Sequence, residues 1–592
     1  MESFLYYAEF LEFWQRFRPL TPLGKAIKEK RKPIVQAQVL ETIWDQTEQA
    51  WRLLKTLETA SLNKIAYHLK RIPRLPSVDT AIYDESEIFA VKKFIYNYRM
   101  LFKLLPDWAT TAFSLEFELA PLEALLSKGR QYAETFFIAD EYSPALREVR
   151  NRIHGLDKDL ETERHARLEQ ISSEFGLNFG VRQFLTVNKA EINPEAPAIG
   201  LLSIEPYDET RYLVRPGASA AELRLKSERQ ALQNQERRLE HEILVEISQA
   251  LHRDLPILEE YSQALAQFDL SLASANLAEE YQLVRPQVRE FADSPSGCGQ
   301  FPVQIGSDNS SAGADNLSVS SGEGIAPEPL ICVVKGRFIP CEEYCQTQKK
   351  VYQPLDFSLT APCTMIFGSN MGGKTIALKT LAFLQLCTQY GLFVSAERFS
   401  THIFETFHYI GEDPQEKAES RQGLSGFGFE IRQFCEAWAK FNRPALALFD
   451  EFARTTNSGE AEALISAISR KLLDNSMVAA VFSTHFRGIT RWPGAVYLRM
   501  KGLNREKLAK MQNKCGNDAQ EQPGLENRPE ACEAESENGS TNAVQLGQVN
   551  DLMDYCLVPD DPALKRSDAL EIAGLLGLDP DIVHKAEELL LN

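Results

Sequence analysis

The amino-acid sequence predicts a multidomain chain of the α plus α/β class, a helical core with two long lever-like helices followed by an α/β domain. Three observations predict it. Residues 144–175, and the stretch from Ser219 on, carry apolar residues at three-, four- and seven-residue steps and run long. Short apolar runs, Ala445-Leu446-Ala447-Leu448-Phe449 and Val478-Ala479-Ala480-Val481-Phe482, are of the kind buried in parallel sheets. A third run, Thr364-Met365-Ile366-Phe367, leads into a glycine-rich loop and then a helical pattern over 376–390.

Composition sets the bounds. With 592 residues the chain has room for about four domains. Its apolar fraction of 44% and charged fraction of 25% are those of a globular protein. The formal net charge of −19 argues against a surface that grips nucleic acid everywhere, although it leaves room for a local basic groove. The ten cysteines follow no repeating spacing and read as reduced thiols. Cys341 and Cys345 form the one close pair, too few ligands for a structural zinc site. No apolar run approaches the roughly 20 residues needed to span a bilayer, and the start of the chain lacks a basic signal segment. The expected location is therefore the cytoplasm.

Along the chain, Leu40, Ile43, Trp44, Ala50, Trp51, Leu54 and Leu57 recur at helical steps, and Phe89 to Leu101 suggest another helix. Pro73, Pro76 and Pro106 punctuate this region. Leu146, Val149, Ile153, Leu156 and Leu160 line one side of the next stretch. Between 180 and 216 the pattern changes to short strands at Phe184–Val187 and Ile199–Ile204, broken by prolines. Leu225, Leu232 and Leu239 then resume a helix that Pro256 should kink or end, and a second helix follows through Leu265 and Leu277. A helical bundle with a long insertion fits this pattern, and so does a lever pair carrying a clamp tip. Residues 293–328 and 513–548 are dominated by Ser, Gly, Asn and acidic residues and should be disordered.

Gly368-Ser369-Asn370-Met371-Gly372-Gly373-Lys374-Thr375 fits GxxxxGK[ST] between a strand and a helix. Glycines let backbone N–H groups close around phosphates, and the helix N-terminus adds partial positive charge. Lys374 is placed to reach the β- and γ-phosphates, and Thr375 to ligate Mg²⁺. The apolar run ending in Asp450-Glu451 would supply a carboxylate, Asp450, that holds Mg²⁺ through water, and a water-polarising glutamate, Glu451. His485, after the next apolar strand, is placed to sense the γ-phosphate.

These elements, in this order, resemble the MutS family of ABC-type ATPases. GSNMGGKT is close to that family's GPNMGGKS, and LFDEFARTT is similar to its LLDELGRGT. Leu424 to Glu430 resembles the segment whose serine, Ser425 here, reaches the ATP of the opposite subunit. Ser567 to Ala573 resembles the family's closing helix, and Phe268-Asp269 with Tyr281 and Pro286 the end of its lever helices. The resemblance implies ATP and Mg²⁺ as cofactors, a homodimer, and mismatched or branched DNA as the ligand. It adds Ile376 and Tyr352 to the expected nucleotide contacts. It implies a helical core at 1–143 and levers at 144–290 with a tip at about 176–218. A disordered linker at 291–328 would precede a P-loop ATPase domain at 329–592, interrupted by a disordered insertion at 513–548.

Two departures stand out. The family's Gly-Arg-Gly-Thr is Ala453-Arg454-Thr455-Thr456 here, and the stretch from 161 to 220 carries more acids than bases. Phosphate grip needs positive charge at the contact. Tyr390 to Val394, GLSGFGFEI and Arg499 to Leu503 also resemble a MutS-like subfamily tied to reactivating a B12-dependent lysine aminomutase, which implies a protein client.

Overall fold

The computed structural model describes residues 1–129, 135–192, 200–291, 330–369, 372–412, 426–509, 552–562 and 568–591. The segments at 292–329 and 510–551 take in nearly all of the expected disordered linker and the whole expected insertion, which therefore lie outside the described residues. Among the described residues no helix is long and apolar enough to cross a membrane.

The chain opens with helices α1 (Glu2–Tyr7), α2 (Phe10–Arg16), α3 (Pro22–Lys30) and α4 (Ala37–Thr56), then α5 (Thr59–Arg71), α6 (Glu85–Leu104), α7 (Asp107–Ala112) and α8 (Ala120–Leu126). Two long helices follow, α9 (Pro144–Phe175) and α10 (Ala220–Tyr281), with strands β1 (Leu185–Asn188), β2 (Leu202–Pro206) and β3 (Arg211–Pro216) between them. The remainder is α/β, and its elements are given below with their sheets. By contacts the chain divides into two units. One comprises residues 1–19, 27–56 and 270–592, the other residues 20–26 and 57–269.

The second unit is helical, with the small sheet β1-β3-β2 at the far ends of α9 and α10. Val149, Leu156 and Leu232 bury the seam between the two helices, with Ile153, Leu225 and Leu239 beside them. Arg150 crosses from α9 to Glu236 and Glu240 on α10 at 2.8 and 2.7 Å. The sheet packs Val187 and Val214 on Ile171 and Phe179. Of the two outcomes expected at Pro256, a kink or an end, the end does not occur: α10 runs through it. Leu251, Leu255, Leu258 and Leu265 are all buried, while Pro256 is exposed. Burial on one face holds the helix, and water can serve the carbonyl four residues earlier that the proline leaves without a donor.

Asp269 is 1% exposed and accepts from the N–H groups of Leu20 and Thr21 at 2.9 and 2.7 Å and from the Thr21 hydroxyl at 2.7 Å. Asp269→Ala would strand these donors and should destabilise this unit by roughly 2–4 kcal/mol. The drop in melting temperature measures it, and Asp269→Asn, which keeps an acceptor, should cost less.

The first unit holds two sheets. One has the order β13-β12-β7-β11-β10-β9, parallel except for the edge strand β13. Its strands are β7 (Cys363–Phe367), β9 (Thr406–Gly411), β10 (Ala445–Asp450), β11 (Val478–Thr484), β12 (Val496–Leu503) and β13 (Met553–Pro559). The other is β4-β8-β5-β6, from β4 (Gln287–Arg289), β5 (Ile331–Gly336), β6 (Leu355–Leu359) and β8 (Arg398–His402). Strands β7 and β11 are buried at every residue, which explains their unbroken apolar runs. Helices α11 (Ile339–Thr347), α12 (Lys374–Gln389), α13 (Gly426–Trp438) and α14 (Ser458–Leu473) complete the domain with two C-terminal helices, Asp568–Leu575 and Pro580–Leu591.

The expected helical core at 1–143 is corrected at its N-terminal end. Residues 1–19 and 27–56 belong to the α/β unit. Phe4, Phe10, Phe13, Phe17 and Trp44 are essentially fully buried in its main core. Phe13 meets Phe383 of α12 with ring centroids 5.0 Å apart, and Phe10 meets Tyr390 at 4.7 Å. Periodicity shows that these aromatics share a helix face; it does not show which surface they cover.

Candidate functional site

Strands β7, β11 and β10 are neighbours in one parallel sheet, so the loops after them open side by side at its C-terminal edge. The loop after β7 carries Gly368, Ser369, Gly372 and Gly373 and enters α12 at Lys374. Gly373 caps that helix at φ +86°, a left-handed conformation in which a side chain would also press on Tyr555 at 2.8 Å. A Cβ on Gly372 would stand 3.1 Å from the Ser369 carbonyl.

The Lys374 side chain is 3% exposed. Its ammonium donates to the Gly368 and Ser369 carbonyls at 2.8 and 2.9 Å and lies 3.5 Å from Glu451 Oε1. Burial lowers its pKa, opposed by the charges of Glu451 and Asp450. The Thr375 hydroxyl donates to Asp450 Oδ1 at 3.2 Å, and the Ser483 hydroxyl donates to the same oxygen at 2.5 Å.

The turn after β10 is unusual. Glu451 and Ala453 both adopt left-handed φ, +51° and +63°, without being glycine. The Glu451 N–H is fixed by the Ser483 carbonyl at 3.1 Å, and the Ala453 N–H by Glu430 Oε2 at 2.7 Å. The position where the resemblance expects glycine is thus one that prefers it, and alanine there costs about 1–2 kcal/mol. Arg454 joins Glu451 Oε2 at 3.2 Å to Glu412 at 2.7 Å. Glu451 is therefore held between two cations, Lys374 and Arg454.

His485 follows β11 and is exposed. Partial burial lowers its pKa; the Glu451 charge raises it, and the Lys374 and Arg454 charges lower it. The imidazole is thus within the electrostatic reach of the Lys374–Glu451 pair. Ile376 packs on the main core of this unit. The Tyr352 hydroxyl accepts from the Phe338 N–H at 2.8 Å. Asn370, Met371 and Ser425 lie outside the described residues.

One contributor was missed in the sequence. Tyr7, from α1, is buried, and its hydroxyl donates to Asp450 Oδ2 at 3.2 Å. Its ring stacks on Tyr409 of β9 at 4.0 Å. A tyrosine hundreds of residues upstream carries no motif that points to this site. The cleft beside it, about 520 Å³, is lined by Tyr7, Thr375, Lys379, Asp450, Glu451 and Arg454 among others.

The residues fit a nucleotide phosphate and Mg²⁺. Among the described residues the buried Ser369 hydroxyl has no hydrogen-bond partner, and a Cβ would be crowded at Gly372 by the Ser369 carbonyl and at Gly373 by Tyr555. No cluster of three or more His, Cys, Asp or Glu ligands occurs among the described residues. Mg²⁺ needs none, because it keeps waters and takes one or two protein oxygens with the substrate's phosphates. Thr375 and Asp450 would hold it.

Residues 364–514 match the family model of MutS domain V. The chain is similar to the DNA mismatch repair protein MutS of Geobacillus kaustophilus, 26% identical over 253 residues, 43% of this chain and 24% of that protein. It is similar to the protein of the same name from Lactobacillus delbrueckii subsp. bulgaricus, 26% identical over 253 residues, 43% of this chain and 25% of that protein. The MutS of Natronomonas pharaonis is 24% identical over 234 residues, 39% of this chain and 22% of that protein. The chain thus spans about a quarter of the length of the curated relatives it matches. The likeness to the MutS family thus rests on the domain at residues 364–514 and on these relatives.

Proposed function

We propose that the chain is a Mg²⁺-dependent ATPase that works as an ATP-driven conformational switch in a homodimer. The supporting observation is the meeting of a buried lysine ammonium, Thr375, Asp450 and Glu451 at the ends of three adjacent strands. Lys374 would exchange its Glu451 contact for the β- and γ-phosphates, and the loop N–H groups would hold their oxygens. Mg²⁺ bound by Thr375 and Asp450 would neutralise charge on those oxygens. Glu451 would orient and deprotonate the attacking water, and His485 would report the γ-phosphate. Ser425 would complete the site from the opposite subunit, which is why a two-fold assembly is needed. Helix α10 carries residues of both units and would transmit closure toward the small sheet.

The relatives' name points to mismatched DNA as the ligand enclosed. A second reading, ATP-driven reactivation of a protein client such as a B12-dependent aminomutase, is favoured by the tip itself. Among its described residues, Arg182, Lys189, Arg211 and Arg215 are matched by Glu191, Glu205, Asp208 and Glu209. Arg211 pairs with Asp208 at 3.2 Å and Arg215 with Glu205 at 3.8 Å. Val181, Phe184 and Tyr207 are exposed there, which suits a protein surface better than a phosphate backbone.

The test is phosphate release from ATP, with Mg²⁺ or with chelator, in the presence of DNA or of a candidate client. Each phosphate neutralised should contribute a slope of roughly −0.9 in log affinity against log salt. The tip's charge balance predicts weak, sequence-independent DNA binding, lost near 0.15 M salt, a roughly physiological ionic strength, with little ATPase stimulation. Tight, mismatch-selective binding at that salt would exclude the client reading and restore the DNA one. It would also place the grip on bases outside the tip, such as Lys64, Lys70, Arg71 and Arg74.

A further inference from the structure

The geometry points to Tyr7 as a positioning residue of the nucleotide site, one that holds the Asp450 carboxylate ready for the metal ion. This rests on the ATPase reading above and assigns a residue that the sequence motifs leave out.

The Asp450 carboxylate is held from both sides. On Oδ1 it accepts from Ser483 at 2.5 Å and from Thr375 at 3.2 Å. On Oδ2 it accepts from Tyr7 at 3.2 Å. The first two donors come from the sheet and from α12. The third comes from α1, and without it one oxygen would lack this fixed donor. An ionised carboxylate has about four acceptor positions, so three donors leave room for a metal-bound water while fixing the plane of the group.

Tyr7 is itself fixed. Its ring lies on Tyr409 at 4.0 Å and 21°, and Lys379 of α12 stands over it at 5.6 Å. Lys379 is also paired with Glu9, two residues beyond Tyr7. Tyr409 belongs to β9, the strand beside β10, so the ring is registered against the same sheet that carries Asp450. A rigid donor of this kind lowers the cost of ordering a metal's ligand sphere, as outer partners of ligating carboxylates do elsewhere. By linkage, a metal ion and nucleotide in the site should tighten the docking of α1 to the same extent that docked α1 tightens the metal.

The test replaces one oxygen. Tyr7→Phe keeps the ring on Tyr409 and the buried volume, so it should fold, which its melting temperature checks. Mn²⁺, an EPR-visible stand-in for Mg²⁺, is titrated into the full chain in the presence of ADP, and the loss of the free-ion signal gives the midpoint. A roughly three- to tenfold rise in that midpoint is expected for Tyr7→Phe, the range of an ordinary hydrogen bond. In an Asp450→Asn background the same substitution should add little, since the two groups act as a unit. Under saturating Mg²⁺ the turnover number should move less than the half-saturating metal concentration. An unchanged midpoint in Tyr7→Phe would overturn the assignment, and a lowered one would show Tyr7 competing with the metal. If the wild-type chain takes up no Mn²⁺·ADP, the nucleotide-site reading itself fails, and the assignment falls with it.

Discussion

Glu451→Gln should leave a protein that binds ATP and scarcely hydrolyses it. The amide is nearly isosteric, so the turn after β10 keeps its shape, anchored by the Glu451 N–H on Ser483. What it loses is the ability to take a proton from water. A positioned general base is worth roughly 10²–10⁴ in rate, and turnover should fall by that factor. The carboxylate also sits 3.5 Å from Lys374 and 3.2 Å from Arg454. Removing its charge frees Lys374 for the phosphate, so affinity for ATP should hold or rise. Single-turnover hydrolysis alongside equilibrium binding of a fluorescent ATP analogue separates the two effects. Near-wild-type turnover in the purified variant would remove Glu451 from the proposed role.

Lys374→Ala should abolish useful nucleotide binding. The ammonium is 3% exposed and is the cation closest to the loop after β7, held by the carbonyls of Gly368 and Ser369. Alanine leaves those carbonyls without their donor and the phosphates without a point charge in a site shaped for one. A loss of a hundredfold or more in affinity, about 2.7 kcal/mol, is expected. Circular dichroism should show the fold kept, because the core of α12 lies in Leu378, Leu381 and Phe383 beyond the first turn. If the analogue bound this variant as tightly as wild type, the loop would not be a phosphate cradle.

Much of the site was legible because its chemistry is local in sequence. The loop at 368–375 and the pair Asp450-Glu451 each announce themselves within eight residues of an apolar strand, and the sheet brings those strands together. The left-handed turn was not read from the sequence, which showed only that alanine stands at 453 where the family has glycine; that alanine adopts the φ of +63° that glycine would take without strain. Contributions from far away were not legible. Tyr7 reaches Asp450 across hundreds of residues, and an amphipathic aromatic pattern does not name its partner surface. At Pro256 local stereochemistry argued for a kink or an end, and the end does not occur because Leu251, Leu255 and Leu258 are buried along the continuing helix. Strand β3, which pairs with both β1 and β2, was also not anticipated, because Arg211–Pro216 alternates weakly and ends in proline.

The partnership between the first helices and α12 has a consequence for how the chain is made. The Tyr7 hydroxyl and the Thr375 carbonyl, 3.5 Å apart, are separated by 368 residues. At roughly 5–20 residues per second, synthesis of that interval takes about 20–70 s. Throughout that time Phe4, Phe10, Phe13 and Phe17 have no α12 to cover them. The closing of this contact is among the last events available to the nascent chain, and the loop it closes is among the longest. The aromatic segment at residues 4–17 is thus open to folding helpers and proteases for the whole of that interval. A block in translation upstream of residue 374 would release a chain whose first helices still lack the surface that shelters them.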